Sequence, residues 1–313
     1  MLRQNTNGLV TYRFENLAVE GLRSTASLAV VHAVFTRLGG VSREPLATLN
    51  VGHTVGDDQA AVAENQARIY AHLGLSADRV ATAHQVHSNR VAVVTAADAG
   101  RVCPNTDGLV TNVPGIALFL RFADCQPILL YDPVRHALGL VHAGWRGIAQ
   151  GIARRAVETM QAAFGTRPQD LIAGLGPAIG PCCYTVGHEV ASAMGYALPD
   201  WSQVMALNRE GLWRFDLPAA NAQQLAAAGV HNVEQAHLCT ACHKDEFFSH
   251  RGDSGHTGRF AVVAYLEPGT RDEENGEAQP GQREPAPAGS QEVDSLRPPG
   301  FPAFHEFVRE VHD

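Results

Sequence analysis

The stretch IALFLRFADCQPILLYDPVRHALGLVHAGWRGIAQGI, residues 116–152, decides the fold. It holds three apolar runs, IALFLRFAD, PILLYD and ALGLVHAG, each of strand length and each ending at a polar or glycine turn. DPVRH, between the last two, reads as a hairpin turn. The spacing then predicts a long helix over GIAQGIARRAVETMQAAFG, residues 147–165. Strands joined by a hairpin and followed by one helix do not make a strict strand–helix alternation.

Working outward gives the same picture. ASLAVVHAVFTR (26–37) reads as a buried strand. Asp57 and Asp58 are placed to cap a helix whose apolar face holds Val62, Ile69, Tyr70 and Leu73. RVATAHQVHSNRVAVVTAAD (79–98) predicts two short strands around a polar turn at Ser88 and Asn89. Downstream come a strand at DLIAGLGP (170–177), helices at HEVASAMG (188–195) and LPAANAQQLAAAG (217–229), and strands at VEQAHLC (233–239) and RFAVVAYL (259–266). The predicted class is α+β, a mixed α/β sandwich, in one domain over residues 1–266. Residues 267–313 are rich in Pro, Gly, Glu and Gln and are expected to be a disordered acidic tail. FPAFHEFVREV (301–311) could form a short amphipathic turn at its end.

The chain has 313 residues, 45% hydrophobic and 18% charged, with a net charge of -8. The tail from Glu267 carries 11 acidic and 4 basic residues, so the body is nearly neutral. Neither nucleic acid nor an anionic membrane is an expected partner. The N-terminal segment has no apolar core region, and no apolar run approaches the roughly 20 residues of a membrane span. A cytoplasmic location is expected, where the six cysteines act as core fillers, ligands or nucleophiles rather than disulfides. CTACHKDEFFSH (239–250) has the Cys-x-x-Cys-His spacing of a haem attachment site. Haem attachment normally goes with export, so no haem is expected. No second Cys-x-x-Cys completes a zinc knuckle, and the adjacent Cys182 and Cys183 have poor ligand spacing.

Three other segments place a metal ligand at a strand end beside small, turning residues: HQVHSNRV, FADCQPILL and GLVHAGWRG. The candidates are His84 or His87, Cys125 and His142. His84 and His87 are three apart and point to opposite faces of an extended strand, so one of them is expected to join. Two imidazoles and a thiolate would leave the open fourth position of a catalytic zinc. Against this, a lone Cys is usually a core hydrophobe and a lone strand-end His a satisfied core histidine. Arg146, bracketed by Gly144 and Gly147 at a helix start, suits an anion such as phosphate, and Arg37 before a Gly turn is a second such candidate. The bland reading of Arg146 is a surface ion pair.

The runs FTRLGGVS, LNVGHTVGDD, HQVHSNRV, TDGLVT, ADCQPILLYD, GLVHAGWRGIAQGI, LGPAIGPCCYTVG and FFSHRGDSGHTGR occur in this order over residues 27–266. With them the chain resembles the YfiH family, known as laccase-domain purine nucleoside phosphorylase, polyphenol oxidase and peptidoglycan editing factor. The resemblance implies the single-domain fold shared with cytotoxic necrotizing factor. It implies zinc held by His87, Cys125 and His142, with copper the weaker alternative. It also implies phosphorolysis of adenosine, inosine and methylthioadenosine, with adenosine deamination beside it. The partners would be small purine nucleosides and phosphate. Cys125, His142 and Asp124 are the candidate catalytic residues, Asp124 or a free histidine as general acid; Arg37 and Arg146 would bind phosphate. A rival reading is a Cys–His hydrolase editing a peptidoglycan precursor of the UDP-MurNAc-L-Ser type, with Cys125 as nucleophile and His142 as base. A second rival is copper polyphenol oxidation, against which none of the 15 histidines forms a His-x-His pair. A non-enzymatic nucleoside-binding role is the last. The chain departs from the family in TDG, where the family has ADG, and in FFSHRG, where His250 and Gly252 replace a tyrosine and an arginine. Cys239 and Cys242 are expected to be packing or site-lining thiols.

Overall fold

The computed structural model describes residues 1–17 and 29–267. The first sheet contains β1 (Leu2–Thr6), β2 (Leu9–Arg13), β3 (Val30–Phe35), β4 (Val80–Ala83), β6 (Val102–Cys103), β8 (Ala117–Phe122) and β16 (Phe260–Leu266), in the order β1-β2-β3-β16-β8-β4-β6. The second contains β5 (Val91–Val93), β7 (Gly108–Thr111), β9 (Gln126–Asp132), β10 (Ala137–Ala143), β11 (Ile172–Leu175) and β15 (Asn232–Gln235), in the order β15-β11-β9-β10-β7-β5. β12 (Thr185–Val186), β13 (Met205–Leu207) and β14 (Trp213–Phe215) form a small third sheet. The helices are α1 (Gln59–Leu73), α2 (Trp145–Ala149), α3 (Ile152–Phe164), α4 (His188–Ala197) and α5 (Leu217–Ala227).

The period-two alternation of strand side chains layers these elements. On β8, Leu118, Leu120 and Phe122 enter the central core, where they meet Leu129 and Tyr131 of β9 and Leu138 and Leu140 of β10. The alternate residue Phe119 packs with Phe35 and Val263 under Ile69 and Leu73 of α1. Ile128 and Leu130 of β9 and Val141 of β10 instead face Ile152, Ala156 and Met160 of α3. The result is a helix–sheet–sheet–helix sandwich, the mixed α/β class the sequence predicts. Both large sheets have two buried faces, so their central strands are nearly continuous apolar runs.

Several local predictions hold. Asp58 caps α1, its carboxylate accepting from the Ala60 N–H at 2.9 Å, and Gly74 closes the helix in the left-handed region. β9 and β10 pair as an antiparallel hairpin across 133–136. The single helix predicted over 147–165 is two helices, because Gly151 takes a φ of 78° and breaks it between α2 and α3. The strands flanking Ser88 and Asn89 do not pair with each other: β4 lies in the first sheet and β5 in the second. The β1–β2 hairpin was not read from the sequence, although Asn7-Gly8, with φ of 53° and 86°, is a strong hairpin signal. Residues 26–28 of the predicted first strand lie outside the described residues, as do the predicted tail and the 301–311 turn, Glu267 excepted. Among the described residues no helix is long and apolar enough to cross a membrane.

Buried His32 on β3 accepts the Phe14 N–H at Nε2, 2.9 Å away, and burial pushes its pKa down to about 4. The folded state thus excludes a proton that the unfolded chain takes up below about pH 6.5. Stability is full above that value and falls as the pH drops towards 4. We expect the wild type to lose about 2 kcal/mol more than His32→Gln between pH 7 and pH 5, measured by urea unfolding of both proteins at the two pH values.

Candidate metal centre

Two of the three ligand candidates lie on segments that cross from one large sheet to the other. Residues 84–90 join β4 to β5, and Ala123-Asp124-Cys125 joins β8 to β9. The third, His142, sits near the end of β10 on the same face as Leu138 and Leu140, and its ring lies 5.4 Å from that of Phe122. The ligating atoms of His87, Cys125 and His142 all lie within 4.8 Å of one another. Zinc bonds of about 2.0–2.3 Å place tetrahedral ligand atoms roughly 3.3–3.8 Å apart. Two imidazoles and one thiol therefore fit a zinc ion with one side left open. Gly144 makes room for the group: a Cβ there would stand 2.7 Å from the Cys125 sulfur and 3.2 Å from the His87 ring. His84 is turned away and shares a hydrogen bond with Asn105 at 3.2 Å.

Asp107 organises the centre. Its carboxylate is fully buried. It accepts the N–H groups of Val86, His87 and Ser88 and the Ser88 hydroxyl, at 2.7–3.2 Å. It also bonds Nδ1 of His142 at 3.0 Å. Against the cost of burial, His142 and Ser88 hold the Asp107 carboxyl down at about 2. That bond directs Nδ1–H of His142 to Asp107 and leaves Nε2 for a metal, the arrangement of a ligand histidine with its supporting carboxylate. In the metal-free chain burial works against both charges, yet His142 and His87 bring the Cys125 thiol down to about 6, while the Cys125 thiolate and Asp107 push His142 up to about 9. TDGLVT was legible as a motif, but nothing in its spacing assigned Asp107 this role.

Asp124, in the left-handed region at φ 81°, is 8% exposed. Its carboxylate accepts the Thr240 and Ser249 hydroxyls and the Arg251 N–H, each at 2.6 Å. This arrangement anchors the surrounding loops and leaves no Asp124 hydrogen aimed at a substrate. Arg146 stacks over Trp145 at 4.3 Å and makes no ion pair among the described residues. It lines a cleft of about 470 Å³ with Tyr184, Glu189 and Arg251. Arg37 is in a different cleft, of about 660 Å³, with Lys244, Asp253 and His256. Its Nε and Nη1 donate to the carbonyls of Ala47 and Lys244. The structure thus does not bring the two arginines to one lining. Arg251 and Arg259 were not singled out from the sequence, although both stand in the quoted run FFSHRGDSGHTGR. Half-buried Arg259 lies close enough for its charge to be felt at Cys125 and Asp124.

Residues 31–267 match the model of a family described as multi-copper polyphenol oxidoreductase laccase. The purine nucleoside phosphorylase YlmD of Geobacillus stearothermophilus is 40% identical over 253 residues, covering 78% of this chain and 91% of that protein. A purine nucleoside phosphorylase of Deinococcus radiodurans is 42% identical over 253 residues, covering 80% of this chain and 94% of that one. The crystal structure of a Bacillus licheniformis hypothetical protein, YfiH, superposes with a TM-score of 0.74 at 36% identity, covering 79% of this chain and 98% of that chain.

Supporting carboxylates of this kind typically change metal affinity by about 10- to 100-fold. Asp107→Asn should therefore weaken metal binding by roughly that factor while leaving the far-ultraviolet circular dichroism unchanged, as measured by competition with a chromophoric chelator. An affinity within about twofold of wild type would show that Asp107 only ties the loop.

Proposed function

The chain belongs to the YfiH family, described as multi-copper polyphenol oxidoreductase laccase, and from that premise we propose that it is a zinc-dependent purine nucleoside phosphorylase. The observation that carries this reading is the convergence of His87, Cys125 and His142 as three ligands, with His142 oriented by Asp107. The names of the relatives support the substrate class. Zinc is the ion we assign, because one thiolate and two imidazoles suit it and no His-x-His pair of a multicopper centre is present. When bound it would supply Lewis-acid charge at the open side of the three ligands.

In the proposed reaction a phosphate oxygen forms a bond to the sugar C1′ of adenosine, inosine or methylthioadenosine. The glycosidic bond breaks, its electron pair leaves with the base, and the base takes up the proton that the hydrogen phosphate loses. Arg146, which makes no ion pair among the described residues and shares its cleft with Arg251 and Glu189, is the phosphate ligand we assign. Arg37 is committed to two backbone carbonyls and is assigned to holding its loops. Deamination of adenosine by water is proposed as a second activity of the same centre. We place the enzyme in the cytoplasm, where nucleosides and phosphate are both at hand.

A second reading is favoured by one observation, the Cys125 sulfur lying within 4.8 Å of a His142 ring nitrogen, with the ring held by Asp107. That pair is the form a Cys–His hydrolase would use on a peptidoglycan precursor. Zinc-loaded protein incubated with inosine and phosphate should yield hypoxanthine and ribose 1-phosphate in equal amounts. Hydrolysis of a precursor by metal-free protein, with no phosphorolysis by the loaded form, would favour the hydrolase instead.

A charge-assisted bond to an anion contributes about 1.5–3 kcal/mol. Arg146→Ala should accordingly raise the KM for phosphate about 10- to 150-fold, raise that for nucleoside much less, and leave the zinc content unchanged. Phosphate kinetics within about twofold of wild type, as for a solvated surface group, would remove Arg146 from the site.

A further inference from the structure

Sequence spacing argues against a shared site for Cys182, Cys183, Cys239 and Cys242, since the first two are adjacent and no second Cys-x-x-Cys exists. Folding overrides that spacing. A parallel bridge between Ala178 and Cys239 lays the 176–184 loop against the 236–243 loop. The Ala178 N–H donates to Leu238 and the Thr240 N–H to Ala178, at 3.2 and 3.1 Å. Each loop then makes a tight turn. The Cys183 and Tyr184 N–H groups donate to the Gly180 carbonyl, and the Cys242 and His243 N–H groups to the Cys239 carbonyl, at 3.0–3.1 Å. The two turns face their sulfurs to one point, and all four Sγ atoms lie within 4.8 Å of one another.

We propose that these four cysteines form a second metal site, a closed tetrathiolate that binds one zinc ion and clamps the two loops. The Cys242 sulfur is 3.5 Å from that of Cys182 and 3.4 Å from that of Cys183. Zn–S bonds of about 2.3 Å put the edges of a tetrahedron at roughly 3.8 Å. A disulfide would need sulfurs about 2.05 Å apart. The Gly180 N–H donates to the Cys239 sulfur at 3.3 Å, the kind of outer support that metal thiolates receive. Gly180 packs directly against the cluster, since a Cβ there would stand in van der Waals contact, 3.4 Å from the Cys182 sulfur and from the Cys239 Cβ. Four thiolates complete the coordination shell, so the ion is structural and takes no substrate. Both loops end on one residue: Thr240 bonds the Asp124 carboxylate, and the Ile179 N–H bonds the Asp124 carbonyl. The clamp thus fixes the residue next to Cys125. It does not rest on the phosphorylase reading.

The test is zinc stoichiometry by elemental mass spectrometry on full-length protein purified with reductant, without chelator and without a metal-affinity column. Wild type should hold two zinc ions per chain. Cys239→Ser with Cys242→Ser should hold one, Cys125→Ser with His142→Ala should hold one, and the four changes together none. Cobalt exchanged into the Cys125→Ser, His142→Ala chain should give the intense visible and near-ultraviolet bands of tetrahedral cobalt thiolate. That readout stands even if the Cys239 and Cys242 variant fails to fold. A single zinc per wild-type chain that Cys125→Ser abolishes would overturn the proposal. So would cobalt bands absent from that chain, or recovery of the four cysteines as disulfides from zinc-loaded protein.

Discussion

The buried carboxylate of Asp107 is the constraint on which the site depends. One side chain gathers three successive backbone N–H groups of the 86–88 turn, a serine hydroxyl and the His142 ring. Its own backbone carbonyl accepts the His142 N–H at 2.7 Å. Such a charge is costly to bury unless every lone pair is used, and here the acceptors are matched by donors. The same bonds that compensate the charge also fix where His87 and His142 point. Stabilising the anion and building the ligand set are therefore one arrangement.

Asp124 plays the matching part on the other side of Cys125, gathering Thr240, Ser249 and Arg251. Asp124 and His87 both sit in the left-handed region, at φ of 81° and 59°. Such backbone costs roughly 1–3 kcal/mol for a residue with a side chain. Asp124 precedes one ligand and His87 is another, and both turns are held by hydrogen bonds to a buried carboxylate. The strain is concentrated where the chain must leave one sheet and aim a ligand within a single residue.

Much of the fold was legible because apolar runs such as 117–122, 126–132 and 137–143 carry strand length and burial in their composition. The Asp58 cap and the turn between β9 and β10 were legible because their signals are local. The break at Gly151 was not, because one glycine in a helical pattern reads as tolerated until the packing of α3 on the second sheet demands a change of direction. His87, Cys125 and His142 could be named as candidates, but spacing could not show that three distant strand ends meet. Asp107 and the four-cysteine cluster were missed for the same reason. Their partners lie 19–60 residues away along the chain, and no periodicity encodes a contact of that range.

The placement of the ligands on crossovers between the two large sheets has a further consequence. Neither sheet alone presents the set: His87 and Cys125 are aimed only after their segments have passed from one sheet to the other. A chain whose sheets are formed but not yet docked would bind metal no better than isolated side chains. Occupancy therefore reports on closure of the seam, and metal binding stabilises the docked state by mass action, in proportion to the logarithm of free metal over its dissociation constant. A substitution deep in the seam, at Leu120 or Leu140 for instance, would empty the centre without touching a ligand. Depleting the metal would, by the same linkage, loosen the packing between the sheets.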